Sequence, residues 1–321
     1  MALFGSMSNP VTHPPTASRE CPALVFVNPS AGGGRAKGYL RRIQKLFDKL
    51  SFPARFLFTE NEEELALRVR QAIANNHKIL FAMGGDGTFQ GLANAAYGAG
   101  VVLGVLPVGG GNDFAAALGL PNDPVAAAEM LVGGQPRDVD LIRATTSDGR
   151  QRLYVGGGGI GLDAEAARYA SGACRRFPGR SRYIASALRA LVRYKSLEVK
   201  VDFPGSGFSP VETKALLAGA LNTPTYGAGL RLAPKAGIDD GLLDVVLIEH
   251  LSFFGVLVLL PRLMSSGELR TSRVKRWRVE RVRLTTNPSS LFHGDGEILG
   301  PTPVEIEVAP KAIRVLLPLR R

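Results

Sequence analysis

Between residues 23 and 106 the apolar positions follow two alternating rhythms. Short runs at 23–27, 54–59, 79–83 and 101–106 have the length of buried strands, and the stretches between them repeat apolar residues at helical spacing. Helices are predicted over 35–50 with a basic outer face, over 61–75 with an acidic first turn that suits the helix dipole, and over 89–97. This alternation predicts a mostly parallel sheet covered on both faces. After Arg137 the pattern changes. Short β-like runs at 153–155, 197–203, 215–221, 243–248, 277–285 and 304–308 are punctuated by Gly, Pro and Asp, which predicts an antiparallel, β-rich second half. One helical interruption, about 163–195, carries most of the local basic charge. The stretch 251–263 reads as a core helix, because its apolar run, 253–260, is about half as long as a membrane span requires.

With 321 residues, 45% of them hydrophobic, the chain has room for two packed domains. Residues 1–21 read as a loose tail, 22–140 as an α/β domain and 141–310 as the β-rich one. Lys and Arg total 39 against 28 Asp and Glu, a formal +11 that favours anionic partners or simply solvates the surface. Cys21 and Cys174 form no metal-binding or disulfide spacing, which fits a reducing, cytoplasmic setting. The first twenty residues lack a signal pattern, so a membrane would be met from outside.

The candidate chemistry sits in glycine-rich turns. Gly84, Gly85, Asp86, Gly87 and Thr88 lie between a predicted strand and a predicted helix. Glycines there let the backbone approach a phosphate, and the N–H groups of a helix start would face it. Asp86 is suited to the phosphate's Mg2+ or a water on it. No Gly-Lys-Ser/Thr ending follows, so this is not a P-loop, and a plain tight turn is the alternative. Residues 107–114 would lie beside that loop at the carboxyl edge of the sheet, with Asn112 and Asp113 reading first as helix caps. Gly156, Gly158 and Gly161 fit a dinucleotide fingerprint, but the ribose-binding acid expected about twenty residues on is missing, and that reading is rejected. Asp163 remains as a carboxylate at a domain junction. Asp239 and Asp240 in their glycine turn suit a hard cation or an ordinary hairpin corner. Asp295 and Glu297 suit general-base work on a hydroxyl, with a surface turn as the alternative. Together the set supplies what phosphoryl transfer needs: backbone for phosphates, carboxylates for Mg2+ and a base for the acceptor. With four histidines and no HExxH, zinc hydrolysis is unsupported, and no Gly-x-Ser-x-Gly elbow occurs.

The order of these motifs resembles the diacylglycerol kinase catalytic-domain family, which includes bacterial lipid kinases and sphingosine and ceramide kinases. The resemblance rests on 28–32, 84–88, 107–113, 159–163, 234–244 and 295–297, and covers Ala23 to the C-terminus. It implies an NAD-kinase-like α/β domain and a C-terminal antiparallel β-sandwich domain, with a final strand, about 311–318, returning to the first. It further implies that Asn28, Pro29, Ser30, Ala31, Gly32, Thr59, Gly84 to Thr88, Phe89, Gln90, Gly109, Gly110 and Asn112 bind ATP. Glu297 would accept the proton with Asp295 beside it, and Asp86 and Asp163 would be linked through Mg2+ and water. A structural Mg2+ would sit on Gly237, Asp240 and Leu242. Where the family usually has Thr, this chain has Gly110, so one nucleotide hydrogen bond is lost or replaced.

The implied substrate is a lipid, most simply diacylglycerol, met at an anionic membrane surface by a peripheral protein that binds no nucleic acid. Homodimerisation is left open. Arg175, Arg176, Arg180, Arg182, Arg189 and Arg193, with Phe177, Tyr183, Ile184 and Leu188, form either a membrane-facing segment or a solvated helix face. NAD kinase, which shares the 84–88 motif, and a non-catalytic lipid-binding regulator are the alternatives.

Overall fold

The computed structural model describes residues 17–18, 20–171, 185–186, 189–191, 196–227, 229–265 and 271–319. Four strands, β1 (Ala23–Val27), β2 (Ala54–Phe58), β3 (Ile79–Gly84) and β4 (Val102–Pro107), pair in parallel in the order β4-β3-β1-β2. Every residue of β1, β3 and β4 is buried, as expected for a parallel sheet covered on both faces. The helices are α1 (Ala36–Lys49), α2 (Glu62–Ala74), α3 (Asp86–Ala96), the short α4 (Asp113–Ala117) and α5 (Pro124–Val132). α1 packs with α5 and α2 with α3. At the start of α2 the Asn61 carboxamide accepts the Glu64 N–H at 2.8 Å, and the acids at 62–64 complement the dipole. α3 begins at Asp86 rather than Phe89, so the 84–88 motif is the strand end and first helical turn, not a loop before the helix.

The second half is built from β5 (Gln135–Thr146), β6 (Gln151–Tyr154), β7 (Gly157–Gly161), α6 (Leu162–Ser171), β8 (Leu197–Asp202), β9 (Val211–Leu221), β10 (Leu243–Glu249), α7 (Phe253–Ser265), β11 (Val274–Val279), β12 (Arg281–Asn287), β13 (Leu291–Gly294), β14 (Glu297–Pro301) and β15 (Val304–Leu317). Apart from β15 with β4, its ladders are antiparallel. They enclose a core that includes Ile142, Val201, Val245, Leu284, Phe292 and Ile306. The single strand predicted at 277–285 is two, because 274–279 pairs with β10 whereas 281–287 pairs with β8 and β15. Of the basic stretch predicted as one helix, α6 and residues 185–186 and 189–191 are described. Arg175, Arg176, Phe177, Arg180, Arg182, Tyr183, Ile184, Leu188 and Arg193 lie outside the described residues. α7 is not simply a core helix. Leu263 is buried among Leu216, Leu232 and Ile248, but Phe254 and Val258 face outward.

One strand joins the halves. β15 pairs with β12 through residues 304–307, with β5 along most of its length, and with β4 at Arg314 and Val315. Its kink is held by Asp140 on β5, a buried carboxylate that accepts the N–H groups of Lys311 and Gly241, each at 2.7 Å. A second joint forms where Asn94 of α3 accepts the Leu153 N–H at 3.1 Å and donates to the Leu153 carbonyl at 2.7 Å. Replacing Asp140 by Ala strands two N–H groups, and the expected loss is about 2–4 kcal/mol. Urea denaturation of Asp140→Ala checks this: the midpoint should fall, and an unchanged midpoint would contradict the assigned role.

Candidate active site

At the carboxyl edge of the parallel sheet two glycine turns meet backbone to backbone. A Cβ on Gly109 would lie 2.6 Å from the Gly85 Cα, so position 109 tolerates no side chain, and a Cβ on Gly85 would press on the Gly109 Cα at 3.2 Å. A third turn follows β1, where the Asn28 side chain accepts the Ser30 N–H at 3.0 Å and donates to the Thr88 hydroxyl at 3.2 Å. Gly32, Gly33 and Gly34 continue it with φ of 61°, 72° and 91°. Asp86 accepts the N–H groups of Asp113 and Phe114 at 3.2 and 3.1 Å. The cap of α4 therefore comes from Asp86, not from Asn112 or Asp113. Asn112 occupies the N-cap position without a capping bond and donates instead to the Gly109 carbonyl.

Facing these turns is the β13–β14 hairpin. Asp295 and Gly296 have φ of 48° and 87°, the backbone of a tight primed turn that favours Asp-Gly. The Asp295 carboxylate accepts the N–H groups of Val155, Gly156 and Gly157 at 2.6, 2.9 and 3.1 Å. Gly156, the first glycine of the stretch that mimicked a dinucleotide fingerprint, thus helps to hold an acid. The next residue after the turn, Glu297, points to the first domain, its Oε1 3.8 Å from where a Cβ on Gly87 would stand. Arg152 of β6 pairs with Glu62 at the start of α2 and lies 3.7 Å from Glu297.

Removal from water raises all three carboxyls. Glu297 is pushed up to about 7, next by the charge of Glu62 and against the pull of Arg152. Asp86 also reaches about 7, with Asp113 and Asp295 adding repulsion. Asp295 rises to about 6 in spite of its three N–H donors. Carboxyls crowded this way suit proton transfer or a missing counter-charge.

One cavity of about 920 Å3 connects these groups. The first domain lines it with Asn28, Pro29, Ser30, Ala31, Gly32, Thr59, Gly85, Asp86, Gly87, Thr88, Gly109 and Gly110, and Glu297 and Asp295 line it as well. Beyond them it runs into the second domain between Leu162, Leu191, Leu216, Leu230, Ile248 and Leu263. At the passage the Tyr226 hydroxyl and the buried His293 Nε2 are 2.8 Å apart. Gly84, Phe89, Gln90 and Asn112 do not line the cavity. Phe89 stacks on Phe114, with ring centroids 4.8 Å apart, and Gln90 reaches the Leu153 carbonyl. Asp163 opens α6 beside the cavity wall, but its side chain lies outside the described residues. Gly237, Asp240 and Leu242 do come together, the Leu242 N–H donating to Asp240 at 3.0 Å. Arg278 pairs with the same carboxylate, so a guanidinium already supplies positive charge there. Arg152, Glu62 and the apolar wall stand in no glycine turn and were not singled out; Tyr226 and His293 adjoin Gly227 and Gly294, but nothing in the sequence shows that they meet.

Residues 22–144 match the family model described as the diacylglycerol kinase catalytic domain, and 158–317 the one described as the YegS C-terminal NAD kinase beta sandwich-like domain. A diacylglycerol kinase of Mycobacterium tuberculosis is 30% identical over 249 residues, covering 77% of this chain and 79% of that protein. The chain belongs to the diacylglycerol kinase family. It is a lipid kinase, and a kinase of this family implies ATP as phosphoryl donor. A probable lipid kinase, YegS-like, of Klebsiella pneumoniae is 29% identical over 305 residues, 92% of this chain and 96% of that one. The fold is that of a diacylglycerol kinase crystal structure from Bacillus anthracis, with a TM-score of 0.69, 19% identity, and coverage of 93% of this chain and 97% of that one.

If Glu297 is the proton acceptor, its surroundings set the acid limb of the kinase's pH profile. kcat/KM should rise with pH through about 7 as Glu297 loses its proton. Glu62→Gln removes a repelling charge and should move that limb to lower pH, and Arg152→Ala removes an attracting one and should move it up. A limb that stays in place in both variants would exclude the pair.

Proposed function

We propose that this kinase transfers the γ-phosphoryl group of ATP to the free hydroxyl of a glycerolipid, most simply diacylglycerol, in an Mg2+-dependent reaction. The observation that carries this reading is one cavity lined by the glycine turns at 28–34, 85–88 and 109–111, by Glu297 and by an apolar set that includes Leu191, Leu216, Leu230 and Leu263. In this reaction the N–H groups of the turns at 28–34 and 84–88 hold the phosphates. The acyl chains occupy the apolar branch, which places the hydroxyl beside Glu297. Glu297 takes its proton as the oxygen attacks phosphorus in line and ADP leaves. Asp295 holds the hairpin that aims Glu297, and Arg152 holds Glu297 toward α2.

The donor set fits a hydrated Mg2+ rather than a closed cage, because Asp86 offers a carboxylate near Asp113 and Asp295 but no cluster of three ligands forms among the described residues. Mg2+ there would neutralise charge on the phosphates. Asp163 is assigned to the same network by its motif. The second cation, at Gly237, Asp240 and Leu242, would have to share Asp240 with Arg278. Gly110 leaves a nucleotide contact to be made by backbone alone.

Incubation with γ-labelled ATP, Mg2+ and micellar diacylglycerol, phosphatidylglycerol, sphingoid bases and isoprenoid alcohols, with NAD in parallel, tests the reading. Label in diacylglycerol is expected. Label in another lipid would replace the substrate, and label in NADP alone would overturn the lipid reading.

A further inference from the structure

The outer face of α7 has no role in phosphoryl transfer, yet it is the most apolar surface on a single helix among the described residues. Phe253, Phe254, Leu257, Val258 and Met264 are 40%, 76%, 37%, 64% and 45% exposed. Their spacing places them on one stripe. The opposite face carries Val256 and Leu263, which line the apolar branch of the cavity. A helix is about 10–12 Å across with its side chains, so a single helix separates that branch from the outside.

The described charges around the stripe are mainly positive, and the nearby acid, Glu249, is paired with Lys275. α7 contains no acid, and the exposed Arg262 lies in its last turn. The exposed Arg231 is tied to the same end by its N–H to the Leu263 carbonyl at 2.9 Å. At the other end Arg273 donates to the His250 carbonyl at 2.7 Å. Aromatic and aliphatic residues framed by arginines, on a chain of formal charge +11, match a layer that is apolar within and anionic at its surface.

We propose that α7 docks its outer face into the interfacial layer of an anionic lipid bilayer, bringing the apolar branch of the cavity against the acyl chains from which the substrate is drawn. This inference rests on the lipid-kinase reading of the cavity for its purpose, but not for the surface itself. A second copy of the chain is the competing occupant.

The test uses the full chain and vesicles of phosphatidylcholine with or without phosphatidylglycerol. The protein should sediment with the anionic vesicles, and Phe254→Glu with Val258→Glu should weaken this by at least about tenfold. Both side chains are mostly exposed, so the fold should survive. Phosphorylation of a monomeric short-chain diacylglycerol should be unchanged in that variant, while vesicle-embedded substrate is phosphorylated less. In a separate Phe254→Trp protein, the added indole fluorescence should shift to the blue on anionic vesicles and be quenched by brominated lipid. Equal vesicle binding by the charged variant, or an indole signal that vesicles leave unmoved in Phe254→Trp, would overturn the proposal. So would conversion of a dimer to a monomer by the charged variant with vesicle binding intact. If no lipid is phosphorylated while α7-dependent vesicle binding persists, the kinase reading fails and the docking surface stands.

Discussion

The three hydrogen bonds from the backbone at 155–157 to Asp295 determine where the β13–β14 turn, and with it the candidate base Glu297, stands. An Asp-Gly hairpin on its own is a surface feature. Here its first turn residue is pulled inward, and the strand that follows must start at Glu297 facing Gly87 across the cleft. β7 can come this close because it is nearly all glycine: a Cβ on Gly158 would lie 2.5 Å from the His293 carbonyl. β15 and the Asn94–Leu153 bonds then keep the two halves at the distance this arrangement needs.

The same close approach creates an electrostatic cost. Asp86 and Glu297 are pushed to about 7 and Asp295 to about 6, first by loss of water and then in part by neighbouring acids. Each such group favours the folded protein when protonated, so its contribution is present at low pH and is lost as pH rises through 6 to 7. A cation at the phosphates would relieve that repulsion, which links binding of the charged substrate to restored stability at neutral pH. Arg152 offsets only part of it, because it is shared between Glu62 and Glu297.

Much of this was legible in the chain. The strands of the first domain stood out because parallel strands are apolar throughout, and the Gly-Asp turns because so many glycines around single acids are uncommon. The α3 boundary shifted because Gly87 in a first turn reads as loop. The break at Glu280 was invisible, since both flanking segments have the same alternation and differ only in partners. The cap on α4 came from Asp86, twenty-seven positions away, which local capping patterns cannot reveal. The outward face of α7 was hidden for a related reason: apolar residues on both faces of a helix look like core until one face is found without a neighbour. Arg152 has ordinary sequence surroundings, and His293 and Tyr226, each beside a glycine, are brought together only by the fold.

Glu297 lines the same cavity as the glycine turns and the apolar wall, and the proposed reaction depends most on its being the base. The direct measurement is the turnover of Glu297→Gln, together with ATP affinity by calorimetry on the same protein. Unchanged ATP affinity and a kcat lower by about 100-fold or more are expected if Glu297 takes the proton. Near-normal turnover by Glu297→Gln would contradict that role.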